Sequence, residues 1–105
     1  MNVLARLELE VKKQFELDPY DENMYLTIKK LTEKILVVRR LIEKRDDVDT
    51  VAHEYATVLW TRICHGVVID HWVGYILLNI LSPLHDYYEI NETAKTNDTI
   101  LDDPV

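Results

Sequence analysis

Glycine occurs twice, proline three times and cysteine once in these 105 residues. Each scarcity excludes something. β-Sandwiches and barrels need turn residues every ~8–12 positions, and this chain cannot supply them. Cys64 stands alone, so no intramolecular disulfide forms and a stapled secreted scaffold is excluded. No long apolar run is present. The most apolar stretch, 67–84, is broken by Asp70, His71, Asn79 and Ser82, and its cleanest part, Trp72–Leu81, is ten residues long. A membrane-spanning helix needs about 20. The first residues, Met1-Asn2-Val3-Leu4-Ala5-Arg6-Leu7-Glu8, lack the basic n-region and apolar h-region of a signal peptide, so the expectation is a cytoplasmic protein with no membrane partner. Also missing are Cys-x-x-Cys, His-x-x-x-His and His-Glu-x-x-His spacings and any glycine-rich phosphate loop. No cofactor and no metal are therefore expected.

What is present is 48% hydrophobic residues, enough for a core, and 30% charged residues. A chain of this length suits one domain and is too short for a dinucleotide-binding domain with a substrate domain, or for a (β/α)₈ barrel. The expected fold is all-α: a four-helix bundle of two helical hairpins over residues 1–91, followed by a mobile acidic tail, 92–105.

The periodicity supports four helices. Val3, Leu4, Leu7, Val11 and Phe15 form a stripe over Asn2–Leu17, stopped by Asp18-Pro19-Tyr20-Asp21. Asp21 reads as the N-cap of a second helix, expected to reach Lys44 or Arg45 and so to end in cations. Its residues Met24, Ile28, Leu31, Ile35, Val38 and Ile42 step alternately by four and three, an a/d seam widened by Leu36, Val37 and Leu41. Asp46-Asp47 is expected to end that helix and to cap a third, Val48–His65, with Val51, Tyr55, Val58, Leu59, Ile63 and Cys64 inward and Gly66 as its stop. Asp70 is expected to cap a fourth helix carrying Trp72, Val73, Ile76, Leu77, Ile80 and Leu81. In it Gly74 would allow close helix packing, and Ser82-Pro83 marks a kink or a new turn before Leu84, Tyr87 and Tyr88. The second and fourth segments, the most apolar, are expected at the centre.

Charge is unevenly divided. Residues 1–45 hold ten cations and eight anions, whereas 46–105 hold two cations, Arg62 and Lys95, and eleven anions. Such a field repels nucleic acid and attracts basic surfaces. The same acids also keep an apolar helical hairpin soluble. The expected function is a small non-enzymatic interaction module that inhibits or adapts a larger protein with a basic surface, in the extreme form as a DNA mimic. Asp70, Asp86, Tyr87, Tyr88, Glu89 and Glu92 are the expected contact residues, since Tyr beside acids suits a half-polar interface. A homodimer through the second helix is a further expectation.

Two alternatives come from other classes. Asp86-Tyr87-Tyr88-Glu89 is an acid-x-x-acid pair at i, i+3 and resembles the ligand pairs of small all-α nucleotide pyrophosphohydrolases, whose other paired acids this chain lacks. That resemblance implies a metal-dependent phosphohydrolase-like enzyme with Asp86 and Glu89 among its ligands. Nucleic-acid binding would instead use Lys30, Lys34, Arg40 and Lys44 on the second helix, where Lys30 and Lys34, and Arg40 and Lys44, are one turn apart. Glu33 and Glu43 interrupt that stripe at ion-pairing distance from Lys29 and from Arg39 or Arg40. The four histidines read as structural rather than metal-binding, and Cys64 as a packing thiol buried among apolar neighbours.

Overall fold

A computed structural model describes residues 2–42, 44–81 and 84. Among them are four helical segments and no strand: α1 (Val3–Leu17), α2 (Glu22–Val38), α3 (Arg45–Cys64) and α4 (residues 72–81). The described residues form helices and their connections alone, the all-α class that the periodicity predicts. No helix among the described residues is long and apolar enough to cross a membrane.

The first two helices start on side-chain caps. Asn2 accepts a hydrogen bond from the Ala5 amide at 2.7 Å, and Asp21 accepts from Asn23 at 2.8 Å, each satisfying a donor the helix cannot pair internally. Between them Asp18 accepts from the Tyr20 amide at 2.9 Å, closing a tight turn around Pro19. That turn is tied to the far end of α3, because Trp60 Nε1 donates to the Pro19 carbonyl at 3.0 Å. Beside it Tyr25 meets Trp60 and donates its hydroxyl proton to, or accepts one from, His53 Nδ1.

α2 packs against both α1 and α3 and is the centre of the fold. Met24, Ile28, Leu31, Ile35 and Leu36 are fully buried. Each such side chain contributes about 1.5–3 kcal/mol relative to exposure. Thr32, also fully buried, is satisfied by donating its hydroxyl to the Ile28 carbonyl at 2.8 Å. α4 joins the same cluster through Trp72, Ile76 and Ile80, with Leu84 beyond them. Tyr55 is the odd member: its hydroxyl is buried without a hydrogen-bond partner among the described residues. Burial, reinforced by neighbouring Tyr75, pushes that phenol well above its ordinary pKa.

Several expectations are corrected. α2 does not run to Lys44 or Arg45; it ends at Val38 and has no cation in its last turn. Arg40 adopts φ 53°, the Arg40 amide donates to the Val37 carbonyl at 3.1 Å, and Leu41 donates to Leu36 at 3.0 Å. This paired bonding is a Schellman cap, and once its left-handed residue is set the helix cannot continue. Two apolar residues of the last turn, Val37 and Val38, are in consequence about half exposed (52% and 49%), while Ile42 is buried from the connecting turn. α3 begins earlier than expected, at Arg45, so Asp46 and Asp47 occupy its first turn rather than separating two helices. There they favour the positive end of the helix dipole. Val58 and Cys64 are exposed; Ile63 takes the inward position beside the thiol, about 100° away around the helix. Gly74 allows no close approach among the described residues, where a Cβ would meet nothing nearer than His71 Cβ at 4.0 Å. Val3 is exposed, leaving Val11 as the fully buried residue of the α1 stripe, with Leu4, Leu7 and Phe15 half-buried. Ser82, Pro83 and the segment 92–105 lie outside the described residues.

The end of α3 repeats the Schellman bonding with the expected residue. Gly66, at φ 102°, donates to Ile63 at 3.0 Å and Val67 donates to Arg62 at 3.1 Å. Among the described residues no atom lies within 4 Å of where its Cβ would stand, so a substitution there reads backbone strain. Gly66→Ala is expected to lower stability by about 1 kcal/mol. A denaturant titration checks this: the midpoint should fall at unchanged slope.

Candidate functional site

The turn at Arg40 builds the candidate site. By ending α2 it folds the chain back so that the start of α3 lies beside the last turns of α2. Between them is an open groove of about 870 Å³, lined by Leu7 of α1, by Lys30, Glu33, Lys34 and Val37 of α2, by Arg40 and Ile42 of the turn, and by Arg45, Val48 and Asp49 of α3. Its floor is apolar (Leu7, Val37, Ile42, Val48) and its walls are mostly cationic.

The charges are not equivalent. Lys30, Lys34, Arg40 and Arg45 make no ion pair among the described residues, whereas both groove acids are engaged by one ammonium outside the lining. Lys29 Nζ lies 2.7 Å from Asp49 Oδ1 and 3.5 Å from Glu33 Oε1. The hydrogen bond from Lys29 holds the Asp49 carboxyl below its ordinary pKa, and the same bond raises that of Lys29. Among the described residues the groove therefore offers four uncommitted cations and two carboxylates already spoken for.

Comparison with protein-family models, with curated proteins and with solved structures finds no match to this chain. The reading of the groove rests on its own chemistry.

Of the six residues expected to contact a partner, the structure describes one. Asp70 is exposed ahead of α4, which starts at residue 72. It does not cap that helix, because the Val73 amide donates instead to Glu8 Oε2 of α1, at 2.8 Å. Asp86, Tyr87, Tyr88, Glu89 and Glu92 lie outside the described residues, and so does any grouping of them with Asp70. Among the described residues no three His, Cys, Asp or Glu side chains converge on a point that could hold a metal. The basic quartet fares differently. Lys30, Lys34 and Arg40 do share one surface, but Lys44 is not in its lining, and Arg45 takes the fourth place. The expected pairing of Lys29 with Glu33 is present, and the partner that sequence spacing does not reveal is Asp49, twenty residues on.

Proposed function

We propose that the chain is a small non-enzymatic protein-interaction module that takes an acidic, partly apolar segment of a larger protein into this groove, and in doing so adapts or inhibits that partner. The observation that carries the reading is four cations, without an ion pair among the described residues, placed around an apolar floor. Cations alone would suit any polyanion. Half-exposed Val37 beside Leu7, Ile42 and Val48 calls for an occupant that covers apolar surface as well, which a phosphate backbone does not do. Among the described residues no aromatic side chain lines the groove to stack a base, and the net charge of -7 opposes a long polyanion.

The test is a fluorescence-anisotropy titration with a labelled amphipathic peptide rich in Glu and Asp, beside the same peptide carrying Gln and Asn. The acidic peptide should bind, its neutral counterpart should bind more weakly, and K30E/K34E should weaken the acidic peptide by about tenfold or more. Added salt should weaken it as well. Equal binding of both peptides, or indifference to the double reversal, would sink the reading. Tighter binding of a short DNA duplex than of the peptide at the same salt would transfer the groove to nucleic acid.

Docking of the acid-rich later half on a basic protein stays a separate proposal, supported in the described residues by exposed Asp70. A homodimer through α2 would have only Leu26, Val37 and Val38 to offer, because the remaining apolar residues of that helix are buried or half-buried within the chain.

A further inference from the structure

We infer that Lys29 is the residue that sets the sign of the groove: standing outside its lining, it engages the two acids inside it and leaves the four cations to the ligand. This rests on the docking reading above and adds to it a determinant of specificity. Lys29 is the least exposed of the three partners (side chain 24% exposed, against 39% for Glu33 and 69% for Asp49). It joins an i, i+4 neighbour on α2 to a residue of α3, so a single ammonium spans the wall of the groove. Were it absent, Glu33 and Asp49 would face Lys30, Lys34, Arg40 and Arg45 with no other ion-pair partner among the described residues. They would turn toward those cations. A ligand carboxylate would then compete with two built-in carboxylates for the same four groups, in addition to feeling their repulsion.

A residue acting in this manner works through its partners, and this separates it from one that touches the ligand. Four proteins decide the matter: wild type, K29M, E33Q/D49N and the triple variant K29M/E33Q/D49N, each confirmed helical by circular dichroism. K29M is expected to weaken the acidic peptide by about fivefold, the scale of one exposed ion-pair interaction. E33Q/D49N should bind it at least as tightly as wild type. In that background, adding K29M should change affinity by less than about twofold. An equal loss from K29M in both backgrounds would show that Lys29 meets the ligand itself or acts only as bulk charge, and would overturn the inference. An unchanged affinity in K29M alone would overturn it too.

A readout without ligand keeps the two claims apart. In wild type the Asp49 carboxyl should titrate below the ordinary aspartate range by NMR, and in K29M it should return toward it. If that shift is seen while the peptide fails to bind wild type, the docking reading falls and the ion-pair assignment survives. If Asp49 titrates alike in both proteins, the assignment of Lys29 falls whatever the peptide does.

Discussion

Trp72→Ala is expected to lower stability by about 3–5 kcal/mol, the usual range for truncating a buried Trp or Phe. A domain of this size holds about 5–15 kcal/mol in all, so the loss takes a large share. Trp72 is 1% exposed and is the largest fully buried side chain of the cluster. It is the first residue of α4, and its ring meets that of Phe15 edge-on, with centroids 5.9 Å apart. Removing it opens a cavity where α4 starts against α1, and few neighbours can move in, since an indole leaves far more space than a methylene. Trp60→Ala provides the contrast. That ring is half-buried and its Nε1 bonds the Pro19 carbonyl at 3.0 Å, so its loss should be the smaller of the two. Urea unfolding of both variants, followed by circular dichroism rather than indole fluorescence, gives the comparison. Equal losses would mean that α4 is not held by the core as the packing indicates.

The fold was legible in the sequence where one helix face faces one core. The α2 seam, Met24 to Ile35, and the α4 set, Trp72, Ile76 and Ile80, are read directly from helical period and are buried. The stops were legible only where the residue type announces them. Gly66 and Pro19 each mark a chain reversal, and both reversals are found. Arg40 marks one as well, in the same left-handed cap as Gly66, yet arginine has no preference for that conformation and gives no signal. The stop at Arg40 is imposed from outside the local sequence. Ile42 and Val48 are both buried, so the turn returns the chain with Ile42 held in the core that the start of α3 shares.

That single unannounced turn also explains why the candidate site was only partly visible. On a continuous helix Lys30 and Arg45 would stand fifteen residues apart, roughly 22 Å along one rod. With the turn they line the same groove. Lys30 and Lys34 could be paired from spacing, whereas Arg45 in place of Lys44, and Asp49 as the second partner of Lys29, depend on where α3 begins. Tyr55 belongs with these. Helical period places it inward correctly, but nothing in the pattern says that its hydroxyl will lack a partner there.

Glu8→Ala is expected to lower stability by about 1–2 kcal/mol, although Glu8 sits on a helix whose own ends are capped by other residues. The reason lies in α4. Its first turn has amides with no internal partner, and His71, the residue before it, provides only its carbonyl, which accepts from Tyr75 at 2.9 Å. Glu8 Oε2 fills the vacancy from 65 residues away, accepting from the Val73 amide at 2.8 Å. A cap of this kind is worth about 1 kcal/mol, and the carboxylate adds a favourable interaction with the positive end of the helix dipole. Glu8→Gln separates the two contributions: it keeps an acceptor oxygen of the same reach and removes the charge, so it should lose about half as much. Because the bond ties α4 to α1, its removal should act locally first. Amide hydrogen exchange should speed up at Val73 and the adjoining turn of α4 in Glu8→Ala before it does so at Leu31 or Ile35 in the middle of α2. Uniform acceleration across α2 and α4 would show instead that the two helices open only together, and that Glu8 stabilises the whole unit rather than the start of α4.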